Sequence, residues 1–340
     1  MLSRRIALLP VALAVLAIAG CTISTALRQQ AVDHFVQGQL LADDGNMDAA
    51  LKELAEAVRA DPNLSVAHSA IGDIHRKRGD WALAKTSYES ACQANPYAFR
   101  PHYNLGVVYQ ALSDAAKTLE AAQEHLRGAV DVYLRAAALD PEDFEANLNL
   151  SACYFSLGKN ALAEKYCKAA IALKPDSPHA YSNLGIIYDS QGRNYQAIKA
   201  YKDSLELDVH QPKLLMNLGT AYLGQGRMGP ALKTFEMATE EAPDSAAAWE
   251  QLGTCRYHRK EYPEAIKAYT RAVSLDSNSA AAHRGLGVVY MTLYVQNPKN
   301  GDLRDKALAA WHLSLEIQPG QKDIVRLVQK YTPKPTGPEL

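Results

Sequence analysis

Apolar residues along this chain return at spacings of three and four from about residue 31 to residue 331, the signature of helices that bury one face. The helical stretches come in pairs. Within a pair the break carries a glycine, at 79, 158, 192 and 226, and between pairs it carries Pro62, Pro96, Pro141, Pro175, Pro243 or Pro319. Glycine accepts the left-handed backbone that ends a helix, and a proline ring cannot continue one. The pattern therefore predicts a string of helical hairpins, an all-α chain.

The hairpins share one set of residue types. Ala50, Ala84, Ala129, Ala163, Ala197, Ala231, Ala265 and Ala307 recur mostly at steps of 34 residues. Eight residues into each unit stands Gly38, Gly72, Gly106, Gly185, Gly219, Gly253 or Gly287, with Ser151 as the one substitute. Four residues after the recurring alanine comes a bulky residue, Tyr88, Tyr133, Cys167, Tyr201, Phe235, Tyr269 or Trp311, and then a second small one. Small and large positions thus alternate across each hairpin. A period of this length marks units that cannot bury a hydrophobic face alone and must stack on their neighbours.

These positions, with Trp249-Glu250-Gln251-Leu252-Gly253 as the opening of one unit, resemble the tetratricopeptide repeat. The resemblance implies a right-handed α-solenoid of about eight repeats, at 31–64, 65–98, 99–143, 144–177, 178–211, 212–245, 246–279 and 280–321. Residues 322–331 read as a capping helix, with Ile324, Leu327 and Val328 on one face, and the Pro-rich 332–340 as a disordered tail. Departures are local: His75 and Arg256 replace the ring of the first helix, and Val209 and Ser277 replace the closing proline.

Arg4 and Arg5 precede an uncharged apolar run from Ile6 to Gly20, and Cys21 follows. That run is short for a bilayer span and has the layout of a secretory signal. Its end, Leu16-Ala17-Ile18-Ala19-Gly20-Cys21, resembles the lipobox of bacterial lipoproteins. The resemblance implies a signal peptide at 1–20, lipidation of Cys21 and a short tether at 21–30. Three acyl chains at about 0.8 kcal/mol per buried CH₂ would make a permanent membrane anchor. Thr22 is not the aspartate that retains lipoproteins at the inner membrane, so the expected location is the bacterial cell envelope, on the periplasmic face of the outer membrane.

Composition narrows the partners. Lys and Arg total 36 against 37 Asp and Glu, a net charge of -1, so the chain lacks the basic surface that nucleic-acid binding requires. Cys92, Cys153, Cys167 and Cys255 have no C-x-x-C spacing and read as buried thiols. Gly224-Gln225-Gly226-Arg227-Met228-Gly229 spells a dinucleotide fingerprint, but it falls in the turn between two repeat helices rather than after a strand. His34, His68, His102 and His283 recur at the fourth repeat position, too far apart for shared metal ligation. The expectation is a protein with no catalytic residues, cofactor, metal or small-molecule substrate.

One series points to binding. The sixth position of the first helix holds Asn104, Asn149, Asn183, Asn217 and then Gln251. An amide side chain offers both a donor and an acceptor and can grip a peptide bond without reading its side chain. The series resembles the asparagine ladder in the tetratricopeptide domain of O-GlcNAc transferases, which implies a track for an extended polypeptide; local bonding to the neighbouring repeat is the alternative. Other groove positions of units 3 to 8, among them Tyr103, Val107, Leu148, Ile186, Met216 and Val288, are mostly apolar. Arg100, Lys213 and Arg284 stand isolated and make no basic clamp. Unit 3 carries about eleven extra residues between Tyr109 and Ala129, where Ser113-Asp114 reads as the cap of an early-starting second helix. Together these features describe a membrane-tethered scaffold that holds a protein or peptide partner in the envelope. Pilus, secretin or outer-membrane assembly, or an accessory subunit of an envelope glycosyltransferase, are the alternatives in function.

Overall fold

A computed structural model describes residues 25–333. The signal-peptide segment, Cys21, the start of the tether and residues 334–340 lie outside the described residues. Two compact units are resolved by contacts, Met1–Lys174 and Pro175–Leu340. The described residues hold seventeen helices and no strand.

In the first unit, α1 (Thr25–Asp43) pairs with α2 (Met47–Ala60), α3 (Ser65–Arg78) with α4 (Trp81–Ala94), α5 (Phe99–Asp114) with α6 (Leu119–Leu139), and α7 (Phe144–Ser156) with α8 (Asn160–Leu173). In the second, α9 (Pro178–Ser190) pairs with α10 (Asn194–Leu207), α11 (Pro212–Gly224) with α12 (Met228–Glu241), α13 (Ala246–His258) with α14 (Tyr262–Leu275), and α15 (Ala280–Gln296) with α16 (Gly301–Ile317). Within each unit the second helix of a hairpin also packs on the first helix of the next. The last helix, α17 (Lys322–Tyr331), lies against α16 and buries Ile324 and Val328. No helix among the described residues is long and apolar enough to cross a membrane.

The recurring alanines are all fully buried, which lets the paired helices approach closely. The glycine eight residues into a unit faces the bulky residue of the second helix. A Cβ at Gly106 would sit 2.5 Å from the Tyr133 ring, one at Gly219 2.6 Å from the Phe235 ring, and one at Gly287 2.3 Å from Trp311. Trp311, Tyr88, Tyr133, Tyr201 and Phe235 are the largest fully buried side chains. Each ring is therefore packed into a notch that only a residue without a side chain leaves open. Gly79, Gly158, Gly192 and Gly226 close their hairpins at positive φ, and Lys260 adopts the same left-handed conformation, with φ 64°, where unit 7 has no glycine.

Four first helices begin on a side-chain cap. Asp143, Ser177, Ser245 and Ser279 accept the backbone N–H three residues on at the starts of α7, α9, α13 and α15. Unit 3 differs from the reading of its sequence. Ser113 and Asp114 do not cap a second helix; they end α5, with Ser113 buried, and Thr118 caps α6 by accepting from Ala121 N. The extra residues are shared, lengthening α5 to 16 residues and α6 to 21. An apolar Leu112 packed against the Ala84–Tyr88 cluster keeps α5 helical past the point where the cap was expected.

Candidate functional site

The five amide side chains of the sixth-position series are all half-buried, but they fall into two kinds. In the first unit, Asn104 Nδ2 donates to Asp73 Oδ1 at 3.2 Å, and Asn149 Nδ2 donates to the Tyr103 hydroxyl at 3.3 Å. Both reach back to the preceding repeat. Asp73 also accepts from the Tyr88 hydroxyl at 2.6 Å and lies 3.8 Å from Arg76. Tyr103 stacks on Phe99 and meets Tyr133 edge-on, each at 5.8 Å between centroids. Burial pushes the Tyr103 and Tyr133 hydroxyls up, so both stay protonated. In the second unit, Asn183, Asn217 and Gln251 make no side-chain hydrogen bond to another described residue.

The Asn104 end of the series opens into a cavity of about 520 Å³ lined by the first helices of four successive repeats. Asp43 comes from α1, Asp73, Arg76 and Lys77 from α3, Arg100, Tyr103 and Asn104 from α5, and Glu145 from α7. Arg100 is therefore not isolated. The superposed repeats bring it to the same cavity as Arg76 and Lys77, with carboxylates interspersed. The groove positions that reveal this, the ninth and twelfth of a unit, are Asp73 and Arg76 in unit 2; reading those positions in units 3 to 8 alone leaves them out. The site combines an aromatic floor, cations and anions.

Groove residues of the second unit behave differently. Ile186, Met216, Leu223, Tyr257 and Val288 are half-buried, Thr220 is exposed and Met291 is buried. The Tyr257 hydroxyl and Thr292 Oγ1 lie 3.2 Å apart across neighbouring repeats. Glu250 is held above the ordinary carboxyl value by burial, an effect that the donating Ser279 hydroxyl at 3.3 Å and nearby Arg284 partly offset. A second cavity, about 360 Å³, is lined by Val288, Met291, Trp311 and Leu327 between α15 and α17. It is more apolar than the first.

The fourth-position residues are committed to structure. His68, His102 and His283 place Nε2 at 2.9, 3.2 and 3.1 Å from the carbonyls of Pro62, Pro96 and Ser277. Asn147 and Trp249 donate to Pro141 and Pro243 in the same way. His34, which has no such carbonyl, lies 2.7 Å from Glu53. The four cysteines among the described residues form no disulfide, and burial pushes Cys92 and Cys153 up to about 12 and Cys167 and Cys255 up to about 11. They stay protonated at neutral pH and lack the thiolate character of a nucleophile.

Among curated proteins, mouse Superkiller complex protein 3 is 26% identical over 119 residues, which is 35% of this chain and 7% of that protein. The chain thus matches only a small part of that relative. Among solved structures, YrrB, a tetratricopeptide protein with an unusual peptide-binding site, superposes with a TM-score of 0.51 at 20% identity, covering 59% of this chain and 99% of its own. PilF of Pseudomonas aeruginosa gives 0.52 at 18%, covering 64% and 94%. A tetratricopeptide repeat protein of Parabacteroides merdae gives 0.52 at 18%, covering 77% and 99%. These likenesses establish the fold. The repeat positions, the hairpin stacking and the match of residues 25–287, well over half of the chain, to the Cilia and flagella-associated protein 70 C-terminal domain place the chain in that tetratricopeptide family, as a scaffold for protein–protein interaction.

Proposed function

We propose that this protein is a lipid-anchored tetratricopeptide scaffold of the bacterial envelope that holds an extended polypeptide segment along its first helices. The observation that carries the reading is the cavity of about 520 Å³ in the first unit, where first helices of four repeats converge Tyr103, Arg100, Lys77 and Glu145 on one space. A folded partner meets such a concavity poorly, whereas an extended chain can place successive side chains in it. The unpartnered amides of Asn183, Asn217 and Gln251 add backbone-gripping contacts in the second unit. Asn104 and Asn149 take a different role, fixing Asp73 and Tyr103 as the groove wall.

The experiment is photocrosslinking from Tyr103 and, separately, from the exposed Thr220 in native membranes, followed by capture of the bound protein. Crosslinks from each position to a polypeptide are expected, and the combined Asn183→Ala, Asn217→Ala and Gln251→Ala variant should lose those from Thr220 with helicity intact. Absence of any crosslink, or full capture by the triple variant, overturns the role of the groove or of the amides respectively. Anchoring is tested separately: Cys21→Ala should move the protein from the membrane to the soluble envelope fraction, and unchanged retention overturns it.

A further inference from the structure

The tenth position of every first helix is a core position in the later repeats. Ile74 is 2% exposed and clusters with Ala50 and Leu54 of the preceding second helix. Val108 is fully buried with Ala84 and Tyr88, and Val289 with Ala265 and Tyr269. In α1 the equivalent residue, Leu40, is 55% exposed, and Val36 and Val32, one and two turns before it, are 50% and 44% exposed. These three form a straight aliphatic stripe about 12 Å long. It lies opposite Ala31 and Gly38, which face the core. So α1 is apolar on two faces, and the face that later repeats bury against a preceding second helix has no counterpart among the described residues.

We propose that this stripe is the contact through which two copies of the chain pair, α1 against α1 in antiparallel fashion about Val36. Three observations select this occupant. First, the flanks of the stripe carry Asp33, Asp43 and Asp44 against Arg28 alone, all exposed. A helix that lies on an anionic lipid surface needs the opposite balance. Second, the stripe is self-complementary. A two-fold axis at Val36 sets Val32 against Leu40 of the second copy, a small side chain against a large one. On one flank the same register brings Arg28 alongside Asp43 of the second copy, and on the other it brings Asp33 alongside Gln37, with no like charges opposed. Third, the outward face of the last described helix offers the stripe no apolar partner. The outward face of α17 presents Lys322, Asp323, Arg326, Gln329 and Lys330, all exposed and polar. A contact of one helix face is smaller than a standard interface, so the pair is a weak dimer.

Cysteine crosslinking of the full chain in native membranes tests the register. Val36→Cys, on the axis, should give a disulfide-linked dimer on oxidation. Leu40→Cys alone should not, because its two copies stand far apart, whereas Val32→Cys combined with Leu40→Cys should. The native chain, with its own thiols, is the control. In detergent, Val36→Lys should shift the sedimenting mass from two chains to one without loss of helicity, since Val36 supports nothing in the core. Crosslinking of Leu40→Cys as readily as Val36→Cys overturns the antiparallel register. A monomer for the native chain overturns the dimer. So does a Val36→Cys thiol that is monomeric yet protected from alkylation, which would mean the leader segment covers the stripe. None of these outcomes depends on the groove, whose capture assay reads a different surface.

Discussion

Ser151 faces Cys167 where the other repeats set a glycine against an aromatic ring or, in the first, against Leu54. The two exceptions occur in one hairpin, and each explains the other. A thiol leaves room that a ring would fill, and Ser151 uses that room, donating its hydroxyl to the Ala163 carbonyl at 2.9 Å. The pair shows that a side chain at the glycine position is accommodated where the residue facing it is smaller than a ring.

Gly185→Ala should therefore be costly. Its Cβ would lie 2.4 Å from the Tyr201 ring, which is 1% exposed and has no free direction to move. We expect a loss of roughly 1–3 kcal/mol from overpacking, read as a lowered denaturant midpoint with an unchanged slope. A midpoint within error of the native chain would mean the ring repacks.

The fourth-position donors predict a pH-dependent term. His102 donates from Nε2 to Pro96, and its Nδ1 is buried without a partner. Burial, first, and Arg135 hold its pKa below the ordinary 6.5, against the opposing pull of the Pro96 carbonyl. Above that value the ring is neutral folded or unfolded. As pH falls below it the unfolded chain takes up the proton first, so stability is lost until the folded ring also protonates. His102→Asn reproduces the Asn147 arrangement and keeps the donor. Thermal melts between about pH 7 and pH 5 should fall less steeply for this variant than for the native chain; parallel profiles would assign the pH dependence elsewhere.

The helical pairing and the recurring alanines were legible from period alone, because small residues at fixed steps have one physical use in a stacked hairpin. The role of the asparagines was not. A sixth-position amide looks the same in sequence whether it grips a ligand or a neighbour. What decides is the residue one repeat earlier: Asp73 and Tyr103 lie within reach of Asn104 and Asn149, and no described side chain accepts from Asn183 or Asn217. The cavity was hidden for a related reason, since Arg76, Lys77 and Arg100 lie on different helices and only stacking joins them. The cap of α6 was misread because Ser113-Asp114 carries a good capping signal, yet burial of Ser113 and packing of Leu112 extend α5 through it.

Glu250 supplies the opposite sign of pH dependence. Its carboxyl is raised by burial, so folding disfavours the ionised form, and acidification through the folded value and then the ordinary 4.5 removes that cost. Glu250→Gln should stabilise the fold at about pH 7 by less than about 1 kcal/mol, because the Gln carbonyl can still accept from Ser279. The gain should vanish near pH 4. A destabilised variant at neutral pH would show that Arg284 outweighs the burial.

The pairing of Ser151 with Cys167 can be transplanted. Gly185→Ser alone overfills the notch beside Tyr201, and Tyr201→Cys alone leaves a cavity where a buried ring was, a change that costs about 3–5 kcal/mol when an aromatic is truncated in a core. Together they rebuild the unit-4 pair, and the new hydroxyl has the Ala197 carbonyl at the same twelve-residue step that joins Ser151 to Ala163. The double variant should thus be more stable than the sum of the single losses predicts, with a coupling of at least about 1 kcal/mol. Chemical denaturation of the four proteins in the cycle measures it. Additive losses would mean that the glycine and the ring are each required by contacts outside the hairpin.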